Sequence, residues 1–110
     1  MKTLSPLESD IMSILWPDKQ LKVREIYALM VKRKKSVALT SIAVALDRLH
    51  AQGIVDRTVQ KGRGGLRYVY TPQKSKKEFD QSVLESAVNK LIDMFGPTAV
   101  AYFNERFRGR

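Results

Sequence analysis

The 110-residue chain predicts a mainly α fold with one small β-hairpin. Three observations predict it. Apolar stripes at helical spacing fill the first half of the sequence. Two short runs rich in β-branched and aromatic residues then flank a glycine-rich, basic stretch. A long amphipathic segment closes the chain.

Ser5-Pro6-Leu7-Glu8 is a helix start, with serine as N-cap, proline at N1 and glutamate three residues on to close a capping box. Leu7, Ile11, Ile14 and Leu15 recur at helical spacing until Trp16-Pro17-Asp18 ends the segment. A second helix covers Val23 to Lys34, with Val23, Ile26, Tyr27 and Met30 on its buried face. Its end, Lys32-Arg33-Lys34-Lys35, is either a solvated terminus that complements the helix dipole or a phosphate contact. The third helix is the clearest. Ile42, Ala45, Leu46 and Leu49 fall on one stripe, Gly53 serves as a C′ glycine, and Ile54 packs back on the helix end. Its start lies at Ser36 or at Thr40.

Ile54–Val59 and Leu66–Tyr70 read as strands. Between them Gln60-Lys61-Gly62-Arg63-Gly64-Gly65 makes a hairpin with a mobile, basic tip. The three glycines there are no nucleotide loop, because GxxxxGK[ST] is missing and a strand follows instead of a helix. From Ser75 a helix runs to Phe95, with Phe79, Val83, Ala87, Leu91 and Phe95 at intervals of four, and Gly96-Pro97 breaks it. A last helix, from about Thr98 to Phe107, offers Val100, Phe103 and Phe107 on one side. This pair is too small to bury itself, so it either covers the first domain or pairs with a second copy, and pairing is the preferred reading. The expected division is 1–73 and 74–110, at the polar hinge Thr71-Pro72-Gln73-Lys74-Ser75-Lys76-Lys77.

Charge follows the same division. The whole chain carries +9, and residues 1–77 hold sixteen Lys and Arg against six Asp and Glu. Residues 78–110 hold four against five. The first stretch is built to face a polyanion and the second to face protein. With no cysteine and a single histidine, His50, thiolate metal sites, cysteine nucleophiles and any metal site or triad that needs two histidines are excluded, and no cofactor or metal is expected. No acidic pair has general acid/base spacing, so an enzyme is not expected. No signal-peptide stretch opens the chain and no window is apolar enough for a membrane span, so the expected location is cytoplasmic. His50 and Trp16 read as packing residues, and Tyr68 and Tyr70 as one strand face packed against the helices.

Three helices, a strand, a basic tip and a strand, in that order, make a winged helix-turn-helix, here followed by a C-terminal helical dimerisation segment. The outer face of the third helix carries Thr40, Ser41, Ala43, Val44, Asp47, Arg48 and Ala51. Most are small, which lets a helix backbone approach the major groove of double-stranded DNA closely. Arg48 and the two hydroxyls are the hydrogen-bonding readers, Ala43 and Val44 can meet thymine methyls, and Asp47 can accept from a cytosine amino group or orient Arg48. Lys61, Arg63 and Arg67 neutralise phosphates without distinguishing sequence.

The ordered set resembles the penicillinase repressor family, the BlaI/MecI/CopY type of transcriptional regulator. The resemblance runs through Leu4-Ser5-Pro6-Leu7-Glu8, Ile11-Met12, Leu15-Trp16 and Val23-Arg24-Glu25-Ile26. It continues through Thr40-Ser41-Ile42, Leu46-Asp47-Arg48-Leu49, Gly53-Ile54-Val55 and Tyr68-Val69-Tyr70-Thr71-Pro72. It implies a homodimeric repressor on an inverted-repeat operator, with Phe79, Val83, Ala87, Leu91, Phe95, Val100, Phe103 and Phe107 in the dimer interface. Against it stands a binder of nucleic acid that is architectural or indifferent to sequence, favoured by the weakly reading residues of the third helix. A third class is a protein-interaction module on a winged scaffold.

Four departures bear on what the resemblance implies. The family's Lys-Thr-Ile-Arg-Thr-like stretch is Thr40-Ser41-Ile42-Ala43-Val44 here, so the family's target sequence does not transfer. The Asn-Phe bond cleaved in β-lactam-responsive members is matched by Tyr102-Phe103, which argues against control by that protease. The chain stops at Arg110, short of the family's last helix, which predicts a smaller dimer interface. Without cysteines, the copper sensing of some relatives is not expected.

Overall fold

The computed structural model describes residues 3–108, which form five helices and one two-stranded antiparallel hairpin. Two compact units divide them, Leu4–Lys77 and a second beginning at Glu78.

In the first unit, α1 (Pro6–Leu15) opens on the expected capping box. The Glu8 backbone N–H donates to Ser5 Oγ at 3.2 Å, and the Ser5 N–H donates to Glu8 Oε1 at 2.9 Å. Two otherwise orphaned amides are thereby satisfied. α2 (Val23–Lys32) begins where the Lys22 N–H donates to Glu25 Oε1 at 2.8 Å. It stops two residues before the expected Lys34, which sits in the left-handed region at φ 58° and turns the chain. The basic run that follows is partly tied to α1: Arg33 Nη1 donates to Ser13 Oγ at 2.9 Å, and Lys35 Nζ lies 3.7 Å from Asp10 Oδ2. α3 (Leu39–Ala51) starts at neither Ser36 nor Thr40, and its N-cap, Ala38, offers no side-chain bond.

The end of α3 is built as expected. Gly53 has φ 74°; its N–H donates to the His50 carbonyl at 3.0 Å, and the Ile54 N–H to the Leu49 carbonyl at 2.9 Å. That is a Schellman closure, which needs a left-handed residue at this position. A Cβ there would lie 3.3 Å from Gln73 Oε1 in a backbone region that side chains avoid. Gly53→Ala is therefore expected to cost about 1–2 kcal/mol, read as a lower melting temperature by circular dichroism.

The core is one cluster. Ile11, Met12, Ile14 and Leu15 from α1 meet Ile26 and Met30 from α2, and Ile42, Ala45, Leu46 and Leu49 from α3. The hairpin, β1 (Val55–Gly62) and β2 (Gly65–Pro72), adds Val55 and Tyr70 at its root. Leu21, between α1 and α2, exchanges backbone bonds with Tyr70 at 3.0 and 2.8 Å, a one-residue third strand that carries no periodicity to read in the sequence. The strands run further than expected, pairing as far as Gly62↔Gly65 around Arg63-Gly64. The expected six-residue mobile tip is thus corrected to a two-residue turn, with Gly64 at φ 85° where a type II turn demands a positive φ. The expected polar hinge is shortened too, since Thr71 and Pro72 end β2 and Lys76 and Lys77 begin α4.

α4 (Lys76–Phe95) and α5 (Pro97–Phe107) make up most of the second unit and meet at Gly96, φ 59°. α4 buries no residue and α5 buries only Ala99. No helix among the described residues is long and apolar enough to cross a membrane.

Candidate nucleic-acid interface

α3 turns Ile42, Ala45, Leu46 and Leu49 into the core, which fixes what its other side presents. Thr40, Ser41, Val44, Asp47, Arg48 and Ala51 are exposed, and Ala43 is half-buried. The outer face is therefore largely low in profile, with Arg48 as its long cation and Asp47 as its acid. His50 is half-buried near the helix end, and Trp16 packs against the core.

The hairpin register sorts the wing residues. Directly paired residues share a face and alternate residues change face. Arg57↔Tyr70, Val59↔Tyr68 and Lys61↔Leu66 lie on one face; Gln60↔Arg67 and Thr58↔Val69 lie on the other. Lys61, Arg63 and Arg67 are all exposed, but they do not form a single-sided cluster. Lys61 and Arg67 point to opposite faces, with Arg63 in the turn between the strands.

Of the two tyrosines expected to pack against the helices, only Tyr70 joins the core, although the two rings stay in tilted contact with centroids 6.2 Å apart. Tyr70, at the hairpin root, is 2 % exposed, whereas Tyr68, two residues further out, is 45 % exposed and lies beyond the core. Arg57 occupies the space over it, its guanidinium carbon 4.3 Å from the Tyr68 ring centroid. Arg57 Nη1 also donates to Asp47 Oδ1 at 2.9 Å. The carboxylate expected to read a base or to orient Arg48 is thus engaged by Arg57, a residue that no sequence motif singles out. A hydrogen bond with Tyr70 holds the Arg57 guanidinium above its ordinary pKa, and Asp47 adds to the effect. Burial pushes the Tyr70 hydroxyl up in turn.

The residues expected at a subunit interface also separate. Phe79, Val83, Ala87 and Phe103 are half-buried within the chain. Leu91, Phe95, Val100 and Phe107 are exposed, together with Leu84 and Val88. Leu84, Val88, Leu91 and Phe95 are spaced four, three and four residues apart, which holds them to one line on α4. Among the described residues no group of three or more His, Cys, Asp or Glu side chains is placed to hold a metal ion.

Three helices closed by a two-stranded basic wing define the winged-helix class, whose characteristic task is to bring the third helix to DNA. The chain belongs to the penicillinase repressor family, whose sequence model matches residues 4–107. It is thus a DNA-binding transcription regulator. Solved structures share the fold at low identity. A PadR family transcription regulator from Clostridium difficile R20291 matches at TM-score 0.60 and 20 % identity, over 83 % of this chain and 98 % of that one. A possible transcriptional regulator from Methanosarcina mazei Go1 matches at TM-score 0.61 and 20 % identity, over 83 % and 76 %. The ferric uptake regulator of Vibrio cholerae matches at TM-score 0.56 and 17 % identity, over 67 % and 56 %. No curated protein sequence matches significantly.

Proposed function

We propose that the chain is a sequence-specific repressor that binds an inverted-repeat operator as a homodimer. The observation that carries this is the outer face of α3, where Thr40, Ser41, Val44 and Arg48 stand exposed on a helix anchored by four core residues. A helix of such low profile can enter a major groove about 12 Å wide. There Thr40 and Ser41 offer hydroxyls, Ala43 and Val44 meet thymine methyls, and Arg48 donates to guanine. On the wing, Arg63 in the turn and one of Lys61 and Arg67, which lie on opposite faces, set the register by phosphate contact. The four-residue apolar line on α4, left exposed in the single chain, supports pairing through the second unit. Occupancy of the operator by the dimer blocks polymerase or an activator.

Selection of bound duplexes from a random pool, followed by footprinting, tests the proposal. A two-fold symmetric protected site is expected. Equal affinity for selected and random duplexes would instead favour an architectural binder, a reading to which the apolar Ala43 and Val44 lend weight. Arg48→Ala is expected to narrow the gap between operator and random duplex by about 1–3 kcal/mol. Competition binding on the two duplexes measures it, and an unchanged gap removes Arg48 from the reading set.

A further inference from the structure

We infer that Arg57 is a positioning residue of the DNA-facing surface, which neutralises Asp47 on the outer face of α3 and so keeps a bare carboxylate from facing the phosphates. The inference rests on α3 being the DNA-facing helix, as proposed above.

Asp47 is the one acid in α3, and its side chain is 67 % exposed on the side opposite the core. Left alone, such a carboxylate repels the phosphate rails that Lys61, Arg63 and Arg67 attract, and Coulomb interaction over groove distances is only partly screened by salt. Arg57 removes the problem locally. Its Nη1 lies 2.9 Å from Asp47 Oδ1, a charge-assisted bond, while its own side chain is only 25 % exposed.

Arg57 is well held for that task. The planar guanidinium lies over the Tyr68 ring, which sets its plane while Asp47 fixes its Nη1 end. The Asp47 bond and the Tyr68 ring hold it near the hairpin root, whereas Lys61 and Arg63 stand exposed at the wing's end. Arg57 therefore acts through Asp47 rather than on DNA. Its alternation with Val59 and Lys61 along β1 puts it on the Tyr70 side of the hairpin, next to the end of α3.

A double-mutant cycle on the full chain separates the two roles. Anisotropy titrations of labelled duplex, one selected and one random, are run with wild type, Arg57→Ala, Asp47→Asn and the double variant. Acting through Asp47, Arg57→Ala weakens binding to both duplexes about tenfold, but by less than about twofold once Asp47 is Asn. Arg57→Lys, which restores the charge, recovers most of the loss. An equal loss in both backgrounds would make Arg57 a direct phosphate ligand and overturn the inference. So would no loss at all, or a failure of the lysine variant to recover. Melting curves check that each variant is folded; should Arg57→Ala not fold, the neutral Arg57→Gln takes its place in the same cycle, and an equal loss in both backgrounds overturns the inference. Equal affinity of wild type for the selected and random duplexes overturns the proposed repressor function but leaves the cycle readable on either duplex.

Discussion

Placing glutamate at both Leu84 and Leu91 is expected to convert the proposed dimer into a monomer and to weaken operator binding by at least about a hundredfold. The expectation starts from burial. α4 is a twenty-residue helix without one buried residue, and Leu84, Val88, Leu91 and Phe95 line it over about 16 Å. A helix of that length draws little stability from propensity alone, so its order depends on covering such a line. A second copy offers the same line, and alternating four- and three-residue spacing is the pattern by which two helices pack along a seam. A carboxylate in the middle of that seam is desolvated without a partner, at a cost of several kcal/mol per subunit. Without the dimer the second half-site, which otherwise binds at high effective concentration, is forfeited as well. Sedimentation should give the mass of a single 12.5 kDa chain. The melting of the Leu4–Lys77 unit should be retained, because its core lies in α1–α3 and the hairpin root. A double-glutamate variant that still sediments as a dimer would move the interface elsewhere, to Phe79, Val83 and Ala87 in the first instance.

That seam also marks where the sequence stops being legible. Intervals of four advance a helix by 400°, so each step drifts about 40° around the axis. Phe79, Val83, Ala87, Leu91 and Phe95 therefore spiral from a half-buried flank to an exposed one, and the straight line through Leu84 and Val88 goes unseen. Where a signal is local and chemically specific, it is legible. The capping box at Ser5 and Glu8 and the glycine closure at Gly53 each need a particular residue at a particular spacing. Lys34 closes α2 by the same pair of bonds, Lys34 N–H to the Val31 carbonyl and Lys35 N–H to the Met30 carbonyl, but lysine carries no mark of a left-handed position. Gln60, Lys61 and Gly62 have poor strand propensity and are drawn into the ladder by a tight turn, a context effect. Asp47 and Arg57 lie ten residues apart on different elements, so their pairing depends on how the hairpin packs beside α3. The signal that points to it is the two-residue alternation that sets Arg57 on the face of Tyr68 and Tyr70 once the register is known.

Register also sharpens what removing the wing's charge should do. Lys61→Ala, Arg63→Ala and Arg67→Ala together are expected to weaken every duplex alike, because phosphate contacts carry no sequence information. Removing one cation from a phosphate lowers the slope of log affinity against log salt by about 0.9, which at roughly 0.1 M salt amounts to about eightfold in affinity. Three equivalent cations would together remove about 2.7 from the slope. The hairpin argues for fewer. Lys61 and Arg67 sit on opposite faces, so when one face lies along a phosphate rail the other is turned away, while Arg63 in the turn reaches from either side. The expected change is thus about 1.8, or roughly sixtyfold. Single variants identify the pair: Arg63→Ala and just one of Lys61→Ala and Arg67→Ala should each flatten the slope, the remaining variant leaving it unchanged. A slope lowered equally by all three would mean that the wing tip enters a groove between two rails and not along one of them. A triple variant that kept its slope would detach the wing from DNA altogether and leave α3 to bind alone.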